Sequence, residues 1–545
     1  MIHPGAIDRP RPVRPPQAQR PFLPVAVLVA GLGAACTTEA PAPAWSLRFV
    51  RDGVLAPATA APADAPRFGD WALVSGPWRP GERVEVASAA EVAPRAPECV
   101  PYAHVDLGDV ARMVAAGAPA PDTDLAFSPD GGRLAVGSFR GEVLVLDAAS
   151  GAVLARRSLG EGMVRRVAWA RDGGTLYVGE QSPDAAVRAL DPTTLADRWR
   201  VDLAARVGRS TMPAGEDLYG VYSLPGVYGL EVLADGRLVA TAAHGWSDAE
   251  GTRHNRSQLL RFLPDGTLDA TWPAEPADLV LLHPALDEPG GRIAVPVTRS
   301  ASGPAPAGFP LGGLQLLDLA TLTPTGAVVV PPLAPWFTDT YLWQAQDVDV
   351  AADTVLLGLG DGRVVLAGLD GTLRTTLSAG APVLAGDVPV AASIGHGRLV
   401  GDGAVYLTSG TNIPWGAAAP DLRPPSPHPG ENTLWAVGLD GGPRWSFHGD
   451  WDVQGLHLGP DGRTLVVGAG ERQSDTRRDR YGALLFDLGG PARSGEERLL
   501  TTCATEGPVF FRQALSVRGA LAVAEYPYAS GDGGVTGAYR VTIFR

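Results

Sequence analysis

The sequence predicts an all-β fold made of repeated, four-stranded antiparallel units. Three observations indicate it: a turn rich in Asp and Gly recurs, an apolar run flanks the turn on each side, and a further apolar run follows. The clearest instance is DLAFSPDGGRLAVGS, which begins at Asp124. Asp-Gly between apolar runs is a strong hairpin signal, because glycine tolerates the positive φ of tight turns. The first runs are almost wholly apolar, as expected of strands buried on both faces.

The turn returns along the whole chain in altered form, each time with apolar runs after it. Its later copies centre on Asp172, Asp235, Gly290, Asp353, Asp402, Asp461 and Gly519. Four strands that recur every ~40–60 residues are the signature of a β-propeller. One such unit cannot bury both of its faces, whereas a closed ring of units buries them all and removes the long exposed edges.

Two stretches carry a family resemblance. The segment LAFSPDGGRLAVGSFRGEVLVLDAASGAVLARRSLG (125–160) resembles the repeats of the WD40/YVTN/PQQ-like propeller superfamily, and TLWAVGLDGGPRWSFHG (433–449) resembles a PQQ-type repeat. The resemblance spans about 100 to 545 and implies the fold. It says little about function, because one fold hosts many activities.

Eight turns and eight third strands predict eight blades. The last unit stops at Arg545 after three strands, so the ring needs a fourth strand from elsewhere. The segment VPYAHVDLG (100–108) has the character of a fourth strand, and we expect it to complete the last blade. Seven blades is the alternative, because the fourth unit (LLHPALDEPGGRIAVPV) is the most degenerate.

The N-terminus has the features of an export signal. Four arginines precede the apolar run 21–35, and Cys36 follows it. The end of this run resembles a bacterial lipobox, which implies lipid attachment at Cys36 and, with Thr37 next, an outer-membrane location. Cleavage near Ala35 without a lipid, giving a periplasmic protein, is the alternative. We divide the chain into a signal peptide (1–36), a tether with an irregular extension (37–98) and the propeller (99–545).

The two remaining cysteines suggest a disulfide in an exported protein. Cys99 and Cys503 both fall near the seam where the ring is expected to close. The predicted strand register places them at opposite ends of their strands, beyond the reach of a disulfide. Two buried free thiols are therefore the alternative.

The charge and the basic residues of the chain indicate which classes of partner and chemistry to expect. The formal net charge is −14, which argues against a nucleic-acid partner, since phosphate binding needs clustered cationic side chains. All 45 basic residues are arginine, so lysine-based P-loop and Schiff-base chemistry is excluded. We expect a protein or cell-envelope partner, attachment to the membrane through the lipid, and a monomer.

Long connections are predicted on one face of the propeller. The links between second and third strands swell in five units, at 244–257, 299–313, 410–432, 471–482 and 526–537. These links emerge on the same face as the crossovers between blades, and long loops on a rigid scaffold usually carry function. The alternatives for single members are a solvated loop or ordinary packing between blades. The candidate ligand or partner face comprises Arg166, Tyr228, His244, Asp248, His254, Trp343, Gln344, Trp415, Trp451, Asp452, Arg477, Arg512 and Gln513.

Catalytic signals are weak. The chain has no Gly-x-Ser-x-Gly elbow and no Cys-x-x-Cys-His motif. It also lacks the adjacent cysteine pair of many quinoprotein dehydrogenases that resemble this fold. The acidic and histidine residues of the third-unit loop match no metal signature, and His457 fits a core position. We predict no cofactor, no metal and a non-enzymatic binding platform; the alternative is a periplasmic propeller enzyme or quinone-type cofactor binder that uses the axial channel.

Overall fold

The structure is a computed structural model, and part of the chain is described in it. The described residues are 97–111, 122–211, 218–247, 253–281, 283–299, 307–330, 345–360, 362–378, 383–385, 388–390, 392–408, 430–449, 452–470, 481–489, 494–529 and 534–545.

Within these residues the chain is almost entirely β-strand. A closing strand, β1 (Pro101–Asp106), comes first, and four-stranded units follow in chain order. The strands of the first four units are β2 (Asp124–Phe127), β3 (Arg133–Gly137), β4 (Glu142–Asp147), β5 (Val153–Ser158); β6 (Met163–Trp169), β7 (Leu176–Gln181), β8 (Ala186–Leu190), β9 (Asp197–Asp202); β10 (Gly226–Val232), β11 (Leu238–Ser247), β12 (Arg253–Phe262), β13 (Leu268–Leu281); β14 (Ala285–Asp287), β15 (Arg292–Arg299), β16 (Gly313–Asp318) and β17 (Pro324–Val328).

The second half of the chain repeats this plan and adds two small hairpins. Helical structure in the described residues comprises α1 (Ala204–Val207), α2 (Gly495–Arg498), one 3₁₀ turn (Leu218–Ser223) and the single residue Ala111. The remaining strands are β18 (Ala345–Ala351), β19 (Thr354–Leu359), β20 (Arg363–Gly368), β21 (Leu373–Ser378); β22 (Val383–Ala385), β23 (Val388–Val390); β24 (Ile394–Val400), β25 (Gly403–Thr408), β26 (Thr433–Gly438), β27 (Pro443–His448); β28 (Asp452–Leu458), β29 (Thr464–Gly470), β30 (Gly482–Asp487), β31 (Leu499–Ala504); β32 (Val509–Leu515), β33 (Leu521–Glu525), β34 (Tyr528–Ala529), β35 (Val535–Thr536) and β36 (Arg540–Phe544).

The N-terminal strand completes the last unit. The order of that sheet is β1-β36-β33-β32, with Ala103 opposite Ile543 and Val105 opposite Val541. Residues 509–545 therefore supply three strands of this sheet, and the start of the propeller supplies the fourth. This arrangement is the closure expected from the sequence.

The first strands of neighbouring units lie side by side around most of the ring. Strand β6 packs between β2 and β10, β24 between β18 and β28, and β32 between β28 and β2. The last unit thus contacts the first, and the strands surround a central axis. Units 2, 3 and 4 are continuous in one twelve-stranded sheet, so the choice between eight and seven blades stays a prediction.

The core is divided into apolar layers between neighbouring sheets. One layer joins Val143 and Val145 of unit 1 to Val164 and Val178 of unit 2. Others join unit 6 to unit 7 and unit 8 to unit 1. Because each inner sheet is covered on both faces, its strands are apolar at successive positions rather than alternating.

The recurrent turn is built by Asp and Gly. In the first unit the Asp130 carboxylate accepts hydrogen bonds from the Ser128 hydroxyl (2.6 Å) and the Gly132 amide (3.0 Å). Gly131 has φ of 68°, and an added Cβ would lie 2.4 Å from the Ser516 hydroxyl. A left-handed backbone and this close approach both require glycine there.

Cys99 and Cys503 form a disulfide. Cys503 lies in β31 and is fully buried, whereas Cys99 precedes β1 and turns the chain with φ of 61°. The expectation that strand register holds the two thiols apart was wrong, because Cys99 is outside the strand. In the part of the chain that the structure describes, no helix is long and apolar enough to cross a membrane.

Candidate functional site

Several of the predicted face residues lie on the innermost strands. Arg166 is in β6, Tyr228 in β10, and Arg512 and Gln513 in β32. The sequence analysis includes them in the candidate ligand or partner face, and the structure places them within strands rather than in connections. They belong to the wall of the axial channel, because the pairing of each first strand extends past them.

The register brings charged residues of different units to the same level of this wall. Asp124 pairs with Gly137, Arg166 with Gly179, and Asp347 with Gly358, each at the end of an apolar hairpin. His396 occupies the corresponding position opposite Leu407. A bulge precedes Arg166, Asp347 and His396 in their strands, and bulges commonly re-aim side chains in this way.

Arg166 is held by backbone carbonyls. Its Nε donates to the carbonyl of Tyr228 (2.7 Å), and an Nη donates to the carbonyl of Arg165 (2.6 Å). Among the described residues, no carboxylate lies within ion-pair distance of it. Burial, followed by the nearby Arg512, lowers the pKa of Arg166 to about 9. The guanidinium therefore remains charged at neutral pH.

Its neighbours have acidic partners. Arg165 lies 2.9 Å from Asp122 and over the ring of Tyr228, at 4.2 Å from the ring centroid. Arg512 lies 3.4 Å from Asp124, whose other oxygen accepts a hydrogen bond from the Val167 amide. The wall formed by units 8, 1 and 2 thus has three guanidinium groups and two carboxylates.

The opposite wall holds a tighter network. Asp347 accepts a hydrogen bond from Arg398 (2.8 Å) and lies 3.4 Å from the His396 ring nitrogen. Burial alone raises the pKa of Asp347, but Arg398 and His396 outweigh it and hold that pKa well below its usual range. Burial lowers the pKa of His396, so its ring is neutral at pH 7.

Further acidic groups share this side. Burial raises the pKa of Asp349, which accepts a hydrogen bond from the Leu399 amide (2.8 Å). Glu231 lies 2.7 Å from His283. The excess of carboxylates here faces the excess of arginine on the other wall, so the channel is electrically asymmetric.

His457 faces these charges. Burial and the cations Arg398 and Arg512 lower its pKa to about 4. The sequence indicated a core histidine, and the ring is indeed partly buried on a first strand. Its surroundings, however, are the charged lining of the channel. The wall can orient ions and dipoles, and its chemistry suits binding.

The predicted third-unit loop is mostly a hairpin. His244 lies in β11 and His254 in β12, and these strands have ten residues each. Their pairing continues to Ser247 and Arg253, whereas the pairing of β11 with β10 ends at Ala243. Trp246 stacks between the two imidazoles at 5.3 Å from each ring centroid. Arg256 lies over the same indole, and Asp278 lies 3.2 Å from the His254 ring.

The remaining predicted members divide into two sets. The side chain of Asp452 is not described, although its backbone begins β28. The members that lie outside the described residues are Cys36, Asp248, Trp343, Gln344, Trp415, Trp451 and Arg477.

In the described part of the chain, no three His, Cys, Asp or Glu side chains form a group that could hold a metal ion.

Sequence reasoning missed much of the channel lining. Asp124, Glu231, His283, Asp347 and Arg398 were not singled out. The available signal was a charged side chain inside an otherwise apolar first strand, as in AQDVDVA (345–351). Placing it at a common level also required the bulges, which the sequence does not display.

Comparisons with known proteins found similarity to solved structures alone. No protein-family model and no curated protein matches this chain. Among solved structures, the C-terminal WD40 domain of Sif2 has a TM-score of 0.47 at 12% identity, covering 82% of this chain and 98% of that one. The computationally designed Ika8 protein has 0.47 at 12%, covering 78% and 96%.

A third solved structure is BamB from Moraxella catarrhalis, with a TM-score of 0.39 at 13% identity, covering 65% of this chain and 83% of that one. These similarities concern architecture alone. The arrangement of four-stranded antiparallel sheets around an axis, closed by the N-terminal strand, carries the conclusion. By its fold, the chain is a β-propeller.

Proposed function

We propose that this protein is an exported, non-enzymatic binding platform, anchored to the bacterial outer membrane through a lipid on Cys36 and acting as a monomer. The observation that carries the binding role is the long hairpin of β11 and β12. It rises on the face where the longest connections leave the scaffold and presents Trp246 between two imidazoles.

The composition of this hairpin suits a protein partner. Trp, His and Arg supply broad contact area together with hydrogen-bond donors, and Trp and Arg are enriched among residues that dominate interface energies. Trp246 and His254 remain partly exposed, so a partner can reach the stack. The Asp278 carboxylate lies 3.2 Å from Nδ1 of His254 and helps to orient that ring.

The export part of the proposal rests on the sequence. The basic segment, the apolar run and Cys36 support a lipoprotein signal, and the disulfide between Cys99 and Cys503 suits an oxidising compartment. The tether of residues 37–98 would place the propeller away from the membrane surface.

The test is affinity capture from solubilised cell envelope with three versions of the mature chain: wild type, Trp246→Ala and Leu154→Ala. Leu154 is an exposed apolar residue on an outer strand and serves as the matched control. We expect wild type and Leu154→Ala to retain the same partner, and Trp246→Ala to lose at least tenfold. Equal capture by all three, or capture by none, contradicts the hairpin as the binding element.

Further measurements test the lipid anchor, the monomeric state and the non-enzymatic assignment. Cys36→Ser should release the protein from membranes, and light scattering should give the mass of one chain. A stoichiometric chromophore in the purified protein would contradict the non-enzymatic assignment in favour of a cofactor-binding one.

A further inference from the structure

We propose that the axial channel binds a small ligand through a single oxyanion group, held between Arg166 and Arg512. This site is separate from the hairpin of β11 and β12. It lies on first strands of units 2 and 8, on a wall where the described guanidinium groups outnumber the described carboxylates by one.

The arginines and carboxylates on this wall are not equal in number among the described residues. Asp122 is committed to Arg165 at 2.9 Å, and Asp124 is shared between Arg512 at 3.4 Å and a backbone amide. Arg166 has only carbonyl partners among the described residues. Among the described side chains of this wall, one positive charge is therefore left over. A poorly solvated charge is costly unless it is paired, so an added anion stabilises this wall.

The second step is access. Arg512 keeps 36% of its side-chain surface exposed, and Arg166 is also partly exposed. The groups lie deep in the molecule, yet solvent reaches them through the channel. A guanidinium presents a planar set of donors that matches the oxygens of a carboxylate or phosphate, and such charge-assisted bonds are strong.

The third step concerns the rest of the ligand. Asp347, Asp349 and Glu231 line the facing wall, in units 5 and 3. Arg398 and His283 partner these groups, but the side as a whole keeps an excess of carboxylates. A second negative group on the ligand would be repelled there. We infer a monoanion or a zwitterion, such as an α-amino acid, rather than a polyanion.

The experiment measures thermal unfolding of the mature protein with glycine, acetate, inorganic phosphate or citrate, against sodium chloride at equal ionic strength. We expect acetate or glycine to raise Tm above the chloride value, and citrate to raise it less. Phosphate distinguishes the source of the oxyanion: a shift with acetate or glycine assigns a carboxylate, and a shift with phosphate alone contradicts the monoanion assignment.

Variants locate the effect. Arg166→Gln and Arg512→Gln should each reduce the apparent affinity for the stabilising anion at least tenfold. Arg374→Gln, which removes an exposed guanidinium paired with Asp353, should leave it unchanged. If Arg166→Gln does not fold, the more exposed Arg512→Gln decides the result.

Two outcomes overturn the proposal: no probe raises Tm above the chloride control, or the rise is the same in wild type and both channel variants. A larger rise with citrate than with acetate and glycine contradicts the monoanion assignment. These results are independent of affinity capture by the hairpin, so each proposal fails or stands separately.

Discussion

Cys503 of the seventh unit is bonded to Cys99, which lies 404 positions earlier, immediately before the strand that completes the eighth unit. The bond therefore ties the start of the propeller to the sheet next to its seam. Its sulfur atoms pack with Val466, Leu521 and Phe544, which come from units 7 and 8. The ring is thus closed by strand pairing, by apolar packing and by a covalent link at one place.

The first prediction concerns this link. Replacing both cysteines by serine should lower the free energy of unfolding by about 2–5 kcal/mol, because the bond restricts the unfolded chain across a very long loop. Urea unfolding with and without dithiothreitol measures it. Dithiothreitol should destabilise wild type and leave the double variant unchanged. Equal midpoints for wild type and the variant under oxidising conditions would contradict a stabilising role.

The second prediction concerns the other side of the seam. The Tyr539 hydroxyl accepts a hydrogen bond from the Phe139 amide (3.0 Å) and lies 2.6 Å from the Thr123 hydroxyl. Tyr539→Phe removes both contacts between units 8 and 1, and should cost about 1–3 kcal/mol. Urea midpoints give the value, with Tyr528→Phe as the control. A loss no larger than the control's would show that the hydroxyl contributes nothing to closure.

The fold was predictable because its signals are local. The hairpin phrase near Asp124 and the apolar runs on both sides depend on turn chemistry and burial, which are readable within fifteen residues. Even the closing strand was predictable, since a ring that lacks one strand must take it from the segment near Tyr102. The location of both cysteines near the seam was also predictable, whereas the position of Cys99 outside β1 was not predicted.

The channel was harder to predict because it depends on register. Asp347 and His396 reach the same level only through one-residue bulges, and a bulge leaves no clear mark in a single sequence. The prediction of a loop in the third unit was wrong for another reason. The segment from His244 to His254 is mostly polar and therefore resembles a loop, but backbone pairing and the stacking of Trp246 on His254 extend the two strands. Pairing of that kind does not require apolar alternation.

The third prediction uses the ion pair on the acidic wall. Asp347→Asn leaves Arg398 without its carboxylate and should lower stability at pH 7 by about 3 kcal/mol. The pKa of Asp347 is depressed in the folded state, so its contribution is present above the unfolded pKa near 3.8 and is lost as pH falls below that value. The difference between wild type and variant should therefore shrink at pH 3.

Asp353→Asn is the matched control for that prediction. Asp353 pairs with Arg374 on the surface, where its side chain is 71% exposed, and solvent screens such exposed pairs so that they contribute little to stability. Guanidinium unfolding of both variants at pH 7 gives the comparison. A loss for Asp347→Asn that is no greater than for Asp353→Asn would mean that solvent in the channel screens the pair fully.

The fourth prediction concerns pH dependence at His457. Its pKa is about 4 in the folded protein and about 6.5 in the unfolded chain, so the unfolded state binds the extra proton between these values. Stability should then fall as pH drops from 6.5 towards 4, by on the order of 2 kcal/mol between pH 7 and pH 5 from this group. His457→Gln should remove that part of the slope, whereas His104→Gln, at an exposed site in β1, should keep it. Urea midpoints at intervals of half a pH unit measure the slopes, and parallel curves for wild type and His457→Gln would show that the channel lets His457 take its proton in the folded state.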